Sequence, residues 1–305
     1  MKKAIVTGAN GFIGSNLVKY LLSQGVCVKA VVRNEKSYLG ELSKLKNVDI
    51  IYCDLHEINS LPEKISDKGF DVFYHLAWDG NSGPKRQNYT MQMENVVGVA
   101  NAFSVSESLK CQKFLCSGAI TEKVAANLLN LPKAVAQNMI YGIAKNTAHY
   151  ICEFLSRKSE VKFLWCTLSN IYGTGNRTGN IVNYTLDSLI NNRIPEFSAA
   201  IQPFDLMFVD DCVTALYLLG IHDINKKEIY IGSGRPRLLK DYLLQIWEIT
   251  GKKIPIGIGK KDDDGITYNM EWFNISDLTE LTGFVPSIDF EDGIKRTIES
   301  MKKGM

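Results

Sequence analysis

The chain has 305 residues, of which 45% are hydrophobic and 22% are charged, and its formal net charge is +2. This length and composition are typical of a globular protein with one large domain or two unequal lobes. The scattered basic residues exclude the concentrated positive surface of a nucleic-acid-binding protein, and no apolar segment approaches the roughly 18 residues of a membrane span. Seven single cysteines without zinc-site spacing predict buried, reduced thiols and no metal site. We therefore expect a cytoplasmic protein without nucleic-acid or membrane partners.

Over residues 3–168, short runs of β-branched residues alternate with longer segments of helical periodicity. This alternation predicts parallel strands joined by crossover helices. Several of these strands are apolar on both faces, which is typical of strands inside a parallel sheet. The predicted strands are 3–7, 28–32, 49–53, 72–76, 113–116 and 161–168, and the predicted helices are 11–23, 88–109 and 135–157.

The pattern becomes less regular after Tyr172. The helix that ends near Leu219 is expected to be capped by Asp210 or Asp211. The other predicted elements are helices over 181–189 and 238–250, a helix near the C-terminus, and strands over 204–209 and 228–231. The predicted fold class is therefore α/β, a doubly wound parallel sheet with a smaller, interwoven C-terminal α/β lobe. The larger domain is expected to contain 1–170 and 204–232, and the smaller lobe 171–203 and 233–305.

A glycine-rich turn follows the first predicted strand and opens the first predicted helix. Its three glycines permit a tight turn, a close approach of the backbone to a pyrophosphate and close packing of the helix on the strand. The alternative is a glycine turn that binds nothing. On the first interpretation, the dinucleotide contacts are Gly8, Asn10, Gly11, Phe12, Ile13 and Gly14.

The ends of the second and third predicted strands carry Arg33 and Asp54. An acidic residue that binds the adenosine ribose is expected near position 33 in NAD-binding proteins, whereas an arginine pairs with the 2′-phosphate of NADP. Arg33 therefore favours NADP over NAD, unless it is only a surface charge. Asp54 either accepts a hydrogen bond from the adenine or caps the segment that follows it.

The fourth predicted strand is followed by Trp78, which either lines the nicotinamide pocket or packs in the loop. His75 has no partner ligand at metal spacing, so we interpret it as a strand-end residue near the cofactor.

Tyr141 and Lys145 are four residues apart on a predicted helix and therefore share one face. A free phenol has a pKa of about 10, and a nearby ammonium lowers it by roughly 1–3 units. The pair therefore predicts a phenolic acid or base, with Lys145 also binding the ribose hydroxyls of the cofactor.

With these motifs, the chain resembles the extended short-chain dehydrogenases/reductases, the NAD-dependent epimerase/dehydratase family that modifies nucleotide sugars. The resemblance implies a Rossmann dinucleotide-binding domain, a substrate-binding lobe, and a homodimer formed through the helices over 88–109 and 135–157. The alternative is that the apolar faces of these helices belong to an ordinary core. It implies substrate contacts from Asn170. It further implies that Asp54, Leu55, Leu76, Ala77, Trp78, Tyr141 and Lys145 contact the cofactor. The motifs that carry the resemblance are residues 7–14, 54–55, 75–77, Asn95, Tyr141 with Lys145, 170–173 and 208–211.

The chain departs from this family in the loop after the fifth strand. Members usually carry a Ser or Thr that holds the substrate oxygen beside the phenol, but Ala119 stands at that position here. Ser117 or Thr121 supplies the hydroxyl, or the site works without one. The loop also lacks the adjacent Asp-Glu pair of the family's dehydratases, which disfavours dehydration.

Two arginines that are common in the family are also replaced, by Thr167 and Phe204. The phosphates of the substrate then need other cations. We name Arg177 as the candidate substrate contact, with three further candidates at Arg193, Arg235 and Arg237.

These observations predict an NADP- or NAD-dependent enzyme that reduces the 4-keto group of a nucleotide-activated sugar, with Tyr141 as the proton donor. Epimerisation at the same carbon uses the same residues and is the close alternative. A non-catalytic dinucleotide-sensing protein, whose loop has lost its hydroxyl, is the alternative from another class.

Overall fold

The first half of the chain consists of alternating strands and helices in the computed structural model, which describes residues 1–127, 130–131, 133–136 and 138–303. The elements of this half are β1 (Lys3–Thr7), α1 (Phe12–Ser23), β2 (Cys27–Val32), β3 (Asp49–Tyr52), α2 (Leu61–Lys64), β4 (Val72–His75), α3 (Tyr89–Ser108), β5 (Lys113–Ala119), α4 (Thr121–Ala125), α5 (Lys133–Ala136), α6 (Ile140–Ser156) and β6 (Lys162–Leu168). Short 3₁₀ helices lie at Gly40–Lys44, Leu55–Ser60 and Gly83–Gln87.

The second half contains shorter strands and returns once to the main sheet. Its elements are β7 (Asn170–Tyr172), α7 (Ile181–Ile190), β8 (Glu196–Phe197), β9 (Pro203–Phe204), β10 (Leu206–Phe208), α8 (Val209–Ile221), β11 (Glu228–Ile231), β12 (Arg237–Leu238), α9 (Leu239–Ile249), β13 (Gly257–Ile258), α10 (Ser276–Thr282) and α11 (Phe290–Lys303). A further 3₁₀ helix lies at Met270–Phe273.

Seven strands form one parallel sheet in the order β3-β2-β1-β4-β5-β6-β11. Alternate residues of β1 enter different cores, since Ala4 and Val6 pack on one face and Ile5 on the other. This explains why the strand is apolar along its whole length. The chain order reverses at β1, and Thr7 pairs with both Val31 and His75. The carboxyl ends of β1, β2 and β4 therefore meet at the point where doubly wound sheets bind dinucleotides.

The helix predicted over 135–157 begins later than expected. The structure ends α5 at Ala136 and begins α6 at Ile140, with Met139 as a non-helical N-cap. The periodicity of the sequence did not reveal this interruption. Residue 137 lies outside the described residues. The result is that Tyr141 lies in the first turn of α6 rather than in the middle of a long helix.

The strand predicted over 204–209 is also wrong in detail, because it is divided at Asp205. Its two parts pair with different partners: β9 with β12 and β10 with β7. The buried carboxylate of Asp205 accepts hydrogen bonds from the Tyr230 hydroxyl at 2.7 Å and the Ser233 nitrogen at 2.9 Å. These partners hold the chain at the point where the strand changes its partner.

The predicted cap of the following helix is wrong as well, because Phe208 is the N-cap of α8 and both aspartates lie in its first turn. Asp211 instead accepts hydrogen bonds from the backbone nitrogens of Ser287 and Ile288. Asp210 pairs with Arg296 of α11. Both carboxylates therefore attach the C-terminal segment to α8.

The buried cysteines agree with the prediction, with one exception. Cys27, the first residue of β2, is exposed, and the other six are buried. None of the helices in the described part of the chain is long and apolar enough to cross a membrane. Among the same residues, no group of three or more His, Cys, Asp or Glu side chains could hold a metal ion. The division into a larger domain and a smaller lobe stays a prediction.

Candidate active site

The turn between β1 and α1 has close backbone contacts that only glycine permits. Gly8 has a φ of +64°, and a Cβ there would lie 2.9 Å from the nitrogen of Ala77. A Cβ at Gly14 would overlap the carbonyl oxygen of Gly8. Gly11 is the N-cap of α1 and has no side chain to cover the free amide groups. The turn therefore fits the pyrophosphate of a dinucleotide, as the sequence predicts.

The other predicted residues of the turn surround this space. Phe12 and Ile13 are half-buried in the first turn of α1 and pack on the larger core. The Asn10 amide donates a hydrogen bond to the Tyr38 carbonyl oxygen at 3.0 Å. The Thr7 hydroxyl accepts from the backbone nitrogens of Leu76 and Ala77 at 3.2 and 3.3 Å, which holds the end of β4 against the turn.

His75 is buried beneath this turn, with its Nδ1 3.1 Å from the Thr7 hydroxyl. Burial lowers the pKa of His75 to about 3, so the ring is neutral at physiological pH. The histidine therefore connects the ends of β1 and β4 through the Thr7 hydroxyl.

Just after the end of β2, Arg33 forms ion pairs with Asp54 and Asp79. Its side chain is 52% exposed. Asp54 also accepts a hydrogen bond from the His56 nitrogen at 3.0 Å, so it does cap the segment after it. Leu55 is buried and packs against Gly98 of α3. Arg33, just after β2, is therefore held by one carboxylate that follows β3 and by another in the loop after β4.

Tyr141 and Lys145 lie together on the buried face of α6, with side chains that are 8% and 2% exposed. The Lys145 ammonium donates a hydrogen bond to the Ser117 carbonyl oxygen at 2.7 Å. It lies 6.0 Å from the centroid of the Tyr141 ring. Burial raises the pKa of Tyr141 and lowers that of Lys145. The two residues share one face of the helix, as the spacing predicts, but the lowered phenol pKa that was expected from Lys145 is not observed, because burial acts against the charged form of both groups.

Trp78 forms one wall of this site. Its ring lies 3.8 Å from the Lys145 ammonium and meets the Tyr141 ring edge-on at 5.9 Å between centroids. The indole nitrogen donates to the Gln92 side chain at 2.8 Å, which fixes the ring. Trp78 therefore lines the pocket of the predicted acid rather than only filling the loop.

The two candidates for the missing hydroxyl have different surroundings. The Ser117 hydroxyl is directed at the His75 carbonyl oxygen at 3.3 Å. Thr121 is the first residue of α4, and its hydroxyl accepts a hydrogen bond from Arg86 at 3.4 Å. Ala119 ends β5 between them. Because Arg86 also lies over the Tyr141 ring, Thr121 is the candidate that shares a partner with the phenol.

Glu122 is a buried carboxylate directly behind this loop. It accepts hydrogen bonds from the Ala119 nitrogen and from the Trp165 indole nitrogen, the second at 2.9 Å. Burial raises the pKa of Glu122 to about 7, against the lowering effect of Lys145. The glutamate therefore sets the course of the loop after β5, a role that the sequence did not predict.

In the described part of the chain, the cations in contact with the Tyr141 ring are Arg86 and Lys145, and none of the arginines proposed from the sequence is among them. Arg193 pairs with Asp187, Arg235 is exposed, and Arg237 donates to Gln245 at 2.9 Å. Arg177 lies 4.0 Å from the centroid of the Tyr38 ring and donates to its hydroxyl at 2.9 Å. Tyr38 is bound to Asn10, so Arg177 lies beside the glycine turn.

Sequence reasoning missed Arg86, whose guanidinium carbon is 4.3 Å from the centroid of the Tyr141 ring. The signal available was a basic pair, Lys85-Arg86, in the loop that follows the fourth strand at the carboxyl edge of the sheet. Asn170 begins β7, and its buried amide nitrogen has no hydrogen-bond partner among the described residues. An unpaired buried donor fits a substrate contact.

The chain belongs to the NAD dependent epimerase/dehydratase family, whose model matches residues 4–232. It is 25% identical to CDP-abequose synthase of Salmonella typhimurium, over 97% of each chain. It is 23% identical to dTDP-4-dehydro-6-deoxyglucose reductase of Escherichia coli, over 98% of this chain and 97% of the other. A solved structure of UDP-glucose 4-epimerase from Thermotoga maritima with UDP-glucose has a TM-score of 0.81, with 20% identity over 99% of each chain. The predicted family, the fold class and the assignment as an NAD-dependent enzyme are therefore confirmed.

Proposed function

We propose that this enzyme reduces the 4-keto group of a nucleotide-activated sugar. The observation that carries the proposal is the buried Tyr141–Lys145 pair beside the glycine turn, in a family of NAD-dependent enzymes. The printed name of the Escherichia coli relative, a reductase of a dTDP-4-dehydro sugar, supports this choice of reaction.

The chemistry required of the chain is a proton transfer. When a reduced nicotinamide dinucleotide is bound, it supplies the hydride for the carbonyl carbon. Tyr141 gives its phenolic proton to the carbonyl oxygen, which becomes a hydroxyl, and the phenolate that remains is stabilised by nearby cations. Lys145 is held for this task by the Ser117 carbonyl and by Trp78. The Thr121 or Ser117 hydroxyl orients the carbonyl.

The residues that hold the dinucleotide in this proposal are those of the glycine turn, with Leu76 and Ala77 behind it. NADP is the preferred cofactor because the half-exposed Arg33 guanidinium, which pairs with Asp54 and Asp79, can exchange a carboxylate partner for a 2′-phosphate. A bound phosphate replaces Asp79 as the partner of Arg33. Asn170 and Arg177 contact the nucleotide sugar.

The test is turnover by the purified protein with NADPH or NADH and a panel of 4-keto sugars linked to CDP, dTDP or UDP. The loss of absorbance of the reduced cofactor measures the reaction, and product analysis identifies the new hydroxyl. We expect reduction, with a higher kcat/KM for NADPH than for NADH. The absence of cofactor oxidation with every sugar, and of any effect of Tyr141→Phe, would support a non-catalytic dinucleotide-binding protein instead.

Epimerisation at C4 is the second candidate, and the similarity to a UDP-glucose 4-epimerase favours it. Oxidation and reduction at one carbon use the same phenol in both directions. The two reactions differ in their use of cofactor. An epimerase converts a 4-hydroxy nucleotide sugar into its epimer without net consumption of dinucleotide, whereas a reductase consumes one dinucleotide for each product.

A homodimer formed through α3 and α6 is the proposed assembly. The two helices pack against each other and expose apolar side chains on their outer faces. Val97 and Phe154 are 60% and 61% exposed. Large exposed apolar patches mark interfaces. Sedimentation is expected to give a dimer for the wild type and a monomer for Val97→Glu combined with Phe154→Glu, and a monomeric wild type would contradict the proposal.

A further inference from the structure

Arg86 is the cation nearest to the predicted proton donor. It lies in the 3₁₀ helix at Gly83–Gln87, between β4 and α3. Its guanidinium carbon is 4.3 Å from the centroid of the Tyr141 ring, whereas the Lys145 ammonium is at 6.0 Å. The same guanidinium donates to the Thr121 hydroxyl at 3.4 Å. One side chain therefore contacts both the phenol and a candidate for the missing hydroxyl.

The charge of Arg86 is not neutralised by a neighbour. It forms no ion pair with any residue that the structure describes, unlike Arg33 and Arg193. A guanidinium also stays protonated at every pH at which an enzyme works. Lys145 also forms no ion pair in the described part of the chain, but burial lowers its pKa, and its ammonium donates a hydrogen bond to the Ser117 carbonyl oxygen. Arg86 is thus the constant positive charge at the phenol.

Several titratable and charged groups influence the pKa of the Tyr141 phenol. Burial raises this pKa, and Glu122 and Cys116 raise it further, whereas Arg86 lowers it. Arg86 also lowers the pKa of Tyr268, which burial raises to about 12. The uncharged Trp78 ring contacts both groups, with its centroid 3.8 Å from the Lys145 ammonium and 5.9 Å from that of the Tyr141 ring.

We propose that Arg86 is a positioning residue for Tyr141, which stabilises negative charge on the phenolic oxygen from the face of the ring and holds the Thr121 hydroxyl beside it. This inference rests on the proposed function, in which Tyr141 loses its proton during the reaction. It deepens that proposal by naming the positive charge that offsets the unfavourable effect of burial on the ionised Tyr141 phenol.

The test measures the phenol itself, without turnover. The full chain is prepared with 3,5-difluorotyrosine at position 141, and fluorine NMR follows its ionisation as the pH is raised. We expect Arg86→Met to raise the apparent pKa of this ring by about one pH unit, since a cation at 4–6 Å shifts a pKa by roughly 1–3 units and Arg86 is partly exposed. Arg86→Lys is expected to recover part of the shift.

Lys85→Met is the matched control, because it removes a positive charge from the neighbouring, exposed position of the same 3₁₀ helix. It should leave the titration of the ring unchanged. Equal pKa values in the wild type and Arg86→Met, or an equal shift in Lys85→Met, would overturn the inference. The fluorine spectrum also reports whether each variant is folded.

The turnover assay separates this inference from the proposed function. We expect Arg86→Met to lower kcat about tenfold, as one pH unit implies, with little change in the KM for the dinucleotide. If the wild type reduces none of the sugars while the fluorine titration shifts, the proposed function fails and the role of Arg86 at the phenol stands. If the wild type reduces a sugar and the titration does not shift, only the role of Arg86 fails.

Discussion

The two ends of the cleft hold their charged groups in opposite ways. At the phenol end, Tyr141, Lys145 and Glu122 are buried, and burial is the largest influence on the pKa of each. At the other end, where the proposed function places the adenosine and which is called the adenosine end below, Arg33 is half-exposed and its charge is balanced by two carboxylates. At the phenol end, burial of the ionisable groups lowers the stability of the fold and disfavours their charged forms. At the adenosine end, water and salt screen the exposed charges.

This difference in burial predicts which substitutions have large effects on activity and which have small ones. Exposed ion pairs contribute little to stability, about 0–1 kcal/mol, and exchange their partners easily. Buried ionisable groups lose several kcal/mol of hydration and depend on each neighbour. Changes at the phenol end should therefore alter chemistry strongly, and changes at the adenosine end should alter affinity modestly.

The largest effect is expected for Tyr141→Phe. Removal of a general acid lowers kcat by about 10²–10⁴-fold, while the dinucleotide still binds with nearly unchanged affinity. Steady-state kinetics and calorimetric titration with the cofactor measure the two quantities. Tyr217→Phe, on α8 outside the cleft, is the control and should keep full activity. A wild-type kcat in Tyr141→Phe would contradict the expectation that changes at the phenol end alter the chemistry strongly.

Next in size is the pH dependence that Glu122 gives to stability. Its pKa is about 7 in the folded protein and 4.5 in the unfolded chain, so the folded state binds more protons between these values. The contribution of Glu122 is therefore fully present below the lower value and is lost as the pH rises through 7. The free energy of unfolding of Glu122→Gln, relative to the wild type, should rise by about 2–3 kcal/mol between about pH 5 and about pH 8.

Denaturant titrations at both pH values measure this difference. Glu107→Gln, at an exposed position of α3, is the control and should follow the wild type. A difference between Glu122→Gln and the wild type that stays constant with pH would show that burial does not dominate at this carboxylate.

A smaller effect is expected from Arg33→Ala at the opposite end. Loss of the partner of the 2′-phosphate should raise the KM for NADPH about tenfold and change the KM for NADH only slightly. The effect should shrink with added salt, because the site is half-exposed. Lys36→Ala, an exposed cation in the same segment, provides the comparison. Equal effects on both cofactors would contradict the preference for NADP.

The smallest effect is expected from Arg177→Gln. An exposed cation–π contact, here with Tyr38, is worth about 0.5–1 kcal/mol, so loss of the placement of Arg177 should lower the affinity for the nucleotide sugar two- to fivefold. Lys252→Gln, which removes a similar contact with Trp247 on α9, should not change that affinity. A loss of a hundredfold or more would mean that Arg177 binds the ligand tightly, as at a buried site.

Local patterns in the sequence were sufficient for much of the site. The glycine turn could be predicted because its strand, turn and helix are consecutive. Tyr141 and Lys145 could be placed together because a helix brings residues four apart onto one face. The division of the strand at Asp205 could not be predicted, since its cause is hydrogen bonding with Tyr230 and Ser233, which lie far along the chain.

The sequence by itself determined the alternation of elements, the glycine turn and the pair on α6, because each depends on residues that are close along the chain. Only the tertiary structure decided which charges meet the phenol. Arg86, Thr121 and Tyr141 come from three separate segments, and their contacts exist only when the carboxyl ends of β4 and β5 and the start of α6 meet. Electrostatic effects depend on the distance between charges and on their burial, and the spacing of residues along the chain determines neither of these quantities.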